Sequence, residues 1–248
     1  MIHWELLVLF FTIALVYASV GFGGGSSYLA LLALYNLPFQ EIRLTALLCN
    51  IIVVTSGVII YLIHHQVKWK RILPLVLLSV PFAFLGALIK IKEHTFFILL
   101  GCTLLLASIL LWIKTQPGSE ESAQTESGVV TNAIIGGLVG FLSGMVGIGG
   151  GIFLSPLLNI MRWDTAKVIA ATASVFILAN SLAGLAGQYS QLQLVVNWKL
   201  IAFLCVAVFA GGQTGSRLGT SAFNLIVIKR VTAVLVCFAG LEVLIRHL

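Results

Sequence analysis

The chain has 248 residues, of which 60% are hydrophobic and 9% carry a formal charge, whereas soluble domains carry about 25% charged residues. This composition excludes a water-soluble globular protein and indicates an integral membrane protein. The formal net charge is +6, but the cations lie at the ends of apolar runs, where they control membrane topology, so we expect no nucleic-acid partner. The apolar runs are continuous and do not alternate, which predicts an all-α polytopic protein and not a β-barrel.

The first apolar segment is interrupted by glycine. Residues 6–20 lead into Gly21-Phe22-Gly23-Gly24-Gly25, and a shorter apolar run at 26–37 ends at Pro38. As one continuous helix this segment would be about 48 Å long, whereas a single crossing needs about 20 residues. We therefore expect a helical hairpin or a strongly broken helix pair. Three predicted spans follow, at 44–63, 72–89 and 95–113.

A polar, acidic segment at 115–128 separates two halves that repeat the same order of elements. Its composition is typical of a flexible surface linker. In the second half, 129–146 leads into Gly147-Ile148-Gly149-Gly150-Gly151, and a short apolar run precedes three further spans. The predicted short run is 152–161, and the spans are 168–185, 200–215 and 231–245. The sequence thus predicts a first membrane repeat at 1–114, a linker at 115–128 and a second membrane repeat at 129–248.

The number of crossings in each half decides how the two repeats are related. If each broken segment is a hairpin that returns to its starting side, each half crosses an odd number of times and the repeats are inverted. If the broken segment crosses once, each half has four crossings and the repeats are parallel. The hairpin arrangement gathers most cations at one end, which we predict to be cytoplasmic with both termini outside, so we favour the inverted repeat. The cations at that end are Lys68, Lys70, Arg71, Lys114, Arg162, Lys167, Arg217, Lys229 and Arg230, and those at the other end are Arg43, Lys90, Lys92, Lys199 and Arg246.

The two glycine runs predict an anion-binding site. A helix that breaks inside the membrane leaves N–H groups without partners at the start of the next helix, and that end carries roughly half a positive charge. Successive glycine amides also form a concave anion site. The alternative is close helix packing through small residues, which we expect for scattered glycines such as Gly86, Gly136, Gly137 and Gly140. The predicted site residues are Gly23, Gly24, Gly25, Ser26 and Ser27 in the first half and Gly149, Gly150, Gly151 and Ser155 in the second.

A second polar set lies in the spans that follow the glycine runs. Asn50 and Asn180 are costly in a span unless they form hydrogen bonds or face water, so they are either site residues or contacts between helices. Thr55 and Ser56 are expected to bond within their own helix. Arg217, near a span end, either attracts anions to one mouth or anchors at the lipid headgroups. The other site candidates from this set are Thr45, Thr172 and Ser174.

The positions of the acidic and nucleophilic residues argue against an enzymatic function. Glu41, Glu93 and Asp164 fall in predicted short connections, so no carboxylate lies within a predicted span to form a proton relay or a cation site. No catalytic constellation and no metal-ligand spacing is found in the sequence, so we expect no catalytic residue, no metal and no cofactor. The four cysteines lie in apolar runs and are interpreted as packing residues.

Residues 147–158, GIGGGIFLSPLL, resemble the signature of the TauE/SafE family, the sulfite exporter family of bacterial membrane permeases. Residues 167–174, KVIAATAS, resemble the family segment that follows this motif, and the resemblance extends over essentially the whole chain. The first glycine run has no proline equivalent to Pro156, which would make the two sites inequivalent. The resemblance implies transport of sulfite or another sulfur-containing anion in a bacterial plasma membrane.

The combined expectation is a multi-pass exporter of a small anion, working by alternating access around a midplane site between the two glycine breaks. The expected partners are the anionic substrate and the lipid bilayer, with a homodimer as the assembly if the chain self-associates. A negative cell interior would drive one negative charge outward with about 2.3 kcal/mol per 100 mV. The alternatives are a membrane scaffold or accessory subunit, in which the glycines only tighten packing, and a transporter of an unrelated solute such as a metal cation.

Overall fold

The computed structural model describes residues 4–19, 21–35, 37–112, 128–189, 196–219 and 225–247. Within these ranges every regular element is a helix, which confirms the all-α prediction. The predicted linker lies almost entirely outside the described residues. The helices are α1 (Trp4–Ala18), α2 (Gly25–Ala33), α3 (Phe39–Ile63), α4 (Trp69–Leu88), α5 (Glu93–Trp112), α6 (Val129–Val146), α7 (Gly151–Ile160), α8 (Ala166–Tyr189), α9 (Trp198–Gly219) and α10 (Leu225–His247).

Six of the described helices, α3 to α6, α8 and α9, are long and apolar enough to cross a membrane. Their large outward-facing side chains, such as Leu77, Val206 and Ile109, are more than half exposed, because lipid and not water covers them. The protein is therefore a polytopic membrane protein. α1 and α7 are shorter apolar helices that end or begin at the glycine runs.

The structure corrects several predicted boundaries. α2 ends at Ala33 and not at residue 37, while α3 begins at Phe39, five residues before the predicted span. Glu41 and Glu93 lie in the first turns of α3 and α5 and not in connections. Acidic side chains there interact favourably with the positive end of a helix, which explains why the helices extend beyond the purely apolar runs.

Each contact between two helices has a counterpart in which every helix is replaced by the equivalent helix of the other half. α1 packs on α9 as α6 packs on α4, and α3 packs on α9 as α8 packs on α4. α2 contacts α3 and α10, just as α7 contacts α8 and α5, while the α3–α8 and α5–α10 contacts are their own counterparts. The helix contacts of one half thus have counterparts in the other, and each half packs mainly on the other.

Glycines line the two equivalent interfaces. On α6, Gly136, Gly140 and Gly144 rest on the backbone of α4, so that an added Cβ would collide with the carbonyl oxygens of Leu75, Ser79 and Ala83. On α9, Gly211 and Gly215 rest in the same way on Phe11 and Leu15 of α1. The packing role expected for Gly136 and Gly140 is confirmed. These contacts are close because the glycines lack side chains.

The order of these contacts gives the helix directions. Positions 136, 140 and 144 meet 75, 79 and 83 in ascending order, so α4 and α6 are parallel, and α1 and α9 are parallel for the same reason. Gly212 meets Val53 and Gly57 faces Ser216, so α3 is parallel to α9 and hence to α1. Since α1 and α3 run in the same direction, the chain turns back between them along α2.

The second half runs in the opposite direction. Asn50 meets Ser181 and Gly57 faces Ser174, so α8 is antiparallel to α3. Trp163, just before α8, bonds Asn132 near the start of α6, and Gly147 after α6 lies against Gln188 near the end of α8. α6 is therefore parallel to α8 and antiparallel to α1.

Candidate functional site

The first glycine run unwinds the chain between α1 and α2. The amides of Gly21 and Phe22 close α1 by bonding Ala18 O at 3.2 Å and Tyr17 O at 2.9 Å. Gly21 and Gly24 have φ of 81° and 82°, a backbone region that residues with a side chain rarely adopt. α2 begins directly after Gly24. At this start, the amides of Gly23, Gly24, Ser26 and Ser27 donate to no acceptor among the described residues.

The second run repeats this geometry. The amides of Gly147 and Ile148 close α6 on Ser143 O at 2.7 and 3.3 Å, and Gly147, Gly149 and Gly150 have φ between 81° and 84°. α7 begins at Gly151. The amides from Gly149 to Ile152 likewise donate to no described acceptor, so each break presents several free N–H groups at the positive end of a short helix.

Asn50 joins the two breaks. Its Oδ1 accepts from the Gly25 amide at 3.2 Å, while its Nδ2 donates to Ile148 O at 3.3 Å and to Ser181 Oγ at 2.9 Å. The side chain is completely buried. One amide therefore satisfies backbone from both halves at the centre of the protein. Asn50 was predicted to be either a site residue or a contact between helices. In this conformation it forms contacts between elements.

The breaks are sealed in this conformation. An added Cβ on Gly23 would collide with Asn50, and one on Gly25 would lie 2.9 Å from Ile148 O. Gly149 is similarly close to Asn50 Nδ2 and Ser181, and Gly151 to Ile177. The glycines thus bring the two breaks into direct contact. An anion could reach their amides only after the packing opens.

The remaining first-half candidates lie close to the first break. Ser26 and Ser27 are buried in the first turn of α2, and the Ser27 hydroxyl pairs with Tyr17 at 2.5 Å. Thr45 is buried on α3, five residues before Asn50. Thr55 and Ser56 donate to Ile51 O and Val53 O within α3, which confirms the expectation for these two residues.

The second-half candidates differ in what they bond. Thr172 donates to Val168 O on its own helix at 2.8 Å, and Ser155 accepts from Asn159 of its own helix at 3.5 Å. Ser174 bonds Gly21 O of the first break at 2.9 Å. Asn180 donates to Phe176 O at 2.8 Å, while its buried Oδ1 has no partner in the described part of the chain. Of these four, only Ser174 hydrogen-bonds the opposite break.

Arg217 lies at a cavity of about 420 Å³ between the carboxyl ends of α3 and α9. Ser56 lines the cavity, with His64 and Gln213 among the other polar side chains. The neighbouring Gly57 faces Ser174, which bonds Gly21 O. Arg217 therefore lines a cavity at this end of the protein, together with polar side chains of α3 and α9 and with His64.

A buried acid joins the halves at the same end. Asp164 accepts hydrogen bonds from Lys68 at 2.8 Å and from Arg71 at 2.6 Å, and its side chain is fully buried. Burial raises the pKa of Asp164, but Lys68, the Thr165 amide and Arg71 outweigh it and hold the pKa below its ordinary value. This ionised group ties the start of α4 to the segment before α8.

Sequence reasoning missed the role of Arg43. It was assigned to topology control, but the structure buries it beside the second break, where it bonds Gly144 O and Met145 O. The sequence alone does not separate Arg43 from other cations near span ends, because the polar residues Gln40 and Glu41 stand just before it. Glu41, two residues before Arg43, accepts a hydrogen bond from the Asn197 amide at 3.1 Å.

Comparison with known proteins identifies relatives over the whole chain. The family described as "Sulfite exporter TauE/SafE" matches residues 6–243. The probable membrane transporter protein y4hK of Sinorhizobium fredii (strain NBRC 101917 / NGR234) is 32% identical, over 96% of this chain and 97% of the relative. The probable membrane transporter protein YunE of Bacillus subtilis (strain 168) is 24% identical, over 88% of this chain and 89% of the relative. No solved structure matches the chain.

The match begins in α1 and ends in α10, so it includes both glycine breaks and the six described helices that are long and apolar enough to cross a membrane. Both relatives are aligned over nearly their full lengths and carry the name of a membrane transporter. The chain accordingly belongs to the TauE/SafE sulfite exporter family and is a membrane transporter of that family.

Proposed function

We propose that this transporter exports a small oxyanion, sulfite or another sulfur-containing anion, across the bacterial plasma membrane. The observation that carries the proposal is that two helix breaks meet at Asn50. In each break, several backbone N–H groups donate to no acceptor among the described residues. Backbone amides at the positive ends of α2 and α7 favour an anion without placing a full cation at that point. The family description, which names sulfite, supports the choice of substrate class.

The sealed breaks correspond to an occluded state in this proposal. Alternating access then requires opening from each end in turn, by movement of one repeat against the other. Contacts between the halves at the two ends would act as the gates. Lys68 and Arg71 bond Asp164 at one end, and Glu41 accepts from the Asn197 amide at the other.

The repeats are inverted across the bilayer in this proposal. The opposite directions of α1 and α6, and the return of the chain along α2, support three crossings in each half. Lys68, Arg71 and Arg217 then lie at the end we assign to the cytoplasm. Arg217 and the cavity beside it would collect anions on this side.

The membrane potential is sufficient to drive export. Moving one negative charge outward gains about 2.3 kcal/mol per 100 mV. Since each 1.4 kcal/mol corresponds to a tenfold ratio, this maintains a concentration ratio of about fifty. No coupling ion is needed for export of this kind.

Anion efflux from proteoliposomes tests the proposal. Vesicles loaded with sulfite, thiosulfate, methanesulfonate or sulfate are given an inside-negative potential with valinomycin and a potassium gradient. We expect efflux of at least one sulfur oxyanion, faster at inside-negative than at zero potential, and none from protein-free vesicles. A protein that moves none of these anions at any potential would contradict the proposal.

A further inference from the structure

Arg43 is a buried cation beside the second glycine break. It is the fifth residue of α3 and 4% exposed. Its Nη2 donates to Gly144 O at 3.3 Å and to Met145 O at 3.1 Å. With the amide oxygen of Gln188 facing the guanidinium, that oxygen accepts from Nη2 at 3.1 Å and Nε at 2.9 Å. The guanidinium also lies over the rings of Phe39 and Phe96 at 5.6 and 5.5 Å.

All of these partners are formally neutral. No ion pair to Arg43 is found among the residues that the structure describes, whereas Lys68 and Arg71 share the carboxylate of Asp164. Burying an unpaired charge is expensive, and more so in a membrane protein. The carbonyl end of α6 contributes about half a negative charge. A substantial positive charge is therefore left beside Gly147, ready for an anion.

The other half shows that the fold does not require an arginine here. The fifth residue of α8 is Ala170, and it lies against Gly21 as Arg43 lies against Gly147. Gln188, the twenty-third residue of α8, corresponds likewise to Tyr61 of α3, whose hydroxyl lies near Gly21. The first break is thus closed by neutral groups. The charge at the second break is an addition to the shared architecture.

We propose that Arg43 binds the transported anion directly at the second break, with the anion taking the place of the Gln188 oxygen. This rests on the proposed function and specifies it further. A guanidinium offers parallel N–H groups that match two oxygens of one oxyanion, such as sulfite or a sulfonate. The bound anion neutralises the buried charge. Release then leaves Gln188 to return to the guanidinium, so the empty site stays hydrogen-bonded.

Replacement of Arg43 tests this directly. The Tm of purified protein is measured in sulfite, thiosulfate or methanesulfonate and is compared with the Tm in chloride at equal ionic strength. In proteoliposomes, KM and kcat for efflux are measured. We expect these anions to raise the Tm of the unchanged protein but not that of Arg43→Met, and KM to rise more than tenfold in this variant. Arg43→Lys should retain part of the affinity. Arg162→Met, at an exposed arginine outside the site, should behave as the unchanged protein.

Gln188→Glu tests the proposal without removing the arginine, in case Arg43→Met does not fold. A carboxylate at this position would pair with Arg43 and act as a built-in anion. We expect a folded protein with a higher Tm in chloride, no further rise with sulfite, and a KM raised more than tenfold.

Two results would overturn the proposal in distinguishable ways. If the unchanged protein transports a sulfur oxyanion, and Arg43→Met or Gln188→Glu does so with unchanged KM and the same anion-dependent Tm, the role of Arg43 is wrong while the proposed function stands. If the unchanged protein neither transports nor is stabilised by any of these anions, both proposals fail.

Discussion

At the scale of single residues, the two breaks differ in the side chains of α3 and α8 that contact them. Asn50 and Ile177 are both the twelfth residue of their helix, and Ser181 of α8 corresponds to Val54 of α3. Asn50 and Ser181 are polar, whereas their counterparts Ile177 and Val54 are apolar. The two polar side chains form a hydrogen bond of 2.9 Å with each other. A single Asn–Ser pair therefore serves both breaks. The helix contacts of the two halves match, but the side chains at these positions do not.

Asn50→Leu should be more destabilising than Asn180→Leu. The first change leaves the buried Gly25 amide and Ile148 carbonyl without Asn50, at about 1–3 kcal/mol for each unsatisfied group. Among the described residues Asn180 bonds its own helix and its Oδ1 has no partner, so its replacement leaves no group of another helix unsatisfied and should cost less. Thermal unfolding in detergent measures the difference, and equal Tm values for the two variants would contradict the joining role of Asn50.

Asp164 should make stability depend on pH. Its pKa is lowered in the folded protein, so its ion pairs contribute fully above the unfolded pKa of about 3.9 and are lost as pH falls through the lower folded value. We expect the Tm of the unchanged protein to fall between about pH 5 and pH 3 more steeply than that of Asp164→Asn. At pH 7 the variant should already be less stable, by about 1–3 kcal/mol. Parallel Tm curves for the two proteins over this range would show that the pair does not contribute.

At the scale of elements, glycine has two separate roles. In the breaks, left-handed φ values at Gly21 and Gly147 follow the ends of α1 and α6, and those at Gly24 and Gly150 precede the starts of α2 and α7. Along α6 and α9, glycines at every fourth position let two backbones approach. The two roles predict different consequences of substitution, because a break glycine determines the path of the chain and an interface glycine determines only the distance between helices.

Gly140→Ala should separate α4 from α6. A Cβ at this position would lie 2.6 Å from Ser79 O and 2.8 Å from Ser79 Cα, and backbone cannot move aside cheaply. We expect a loss of more than about 2 kcal/mol, seen as a lower Tm or as aggregation in size-exclusion chromatography. The matched control is Gly184→Ala, whose Cβ would make ordinary contacts of 3.7 and 3.8 Å with Leu47. Similar behaviour of the two variants would contradict the interface.

The sequence was sufficient for the elements but not for their contacts. The glycine runs and the continuous apolar segments predicted both breaks and most helices, because these depend on local backbone freedom and hydropathy. The joining role of Asn50 could not be predicted, since it depends on the register between α3 and α8. Arg43 was misinterpreted for the same reason: from sequence alone a cation near a span end has the same appearance whether it faces the headgroups or the interior.

At the scale of the whole molecule, each half is incomplete without the other. α1 and α6 pack on helices of the opposite half, and the Asn50 side chain serves both breaks. Movement of one half against the other would therefore change both breaks together. Such coupling is what alternating access between two repeats requires.

Labelling of single cysteines tests the inverted arrangement. In a chain whose four native cysteines are replaced, Lys70→Cys and Lys167→Cys should react with a membrane-impermeant maleimide from the cytoplasmic side, because α4 and α8 begin at the same end. Lys92→Cys, just before α5, should react from the opposite side. Intact cells and inside-out vesicles distinguish the two sides. Reaction of Lys70→Cys and Lys167→Cys from opposite sides would contradict the arrangement.

The most direct test of the central claim is to locate the anion. Crystals of the protein grown with selenite, a selenium analogue of sulfite, would give an anomalous difference peak at the anion position. We predict a peak within hydrogen-bonding distance of the amides of Gly149–Gly151 or Gly23–Gly25, with the breaks moved apart to admit it. A peak found only in the cavity beside Arg217, with both breaks still sealed in protein that transports the anion, would contradict the claim.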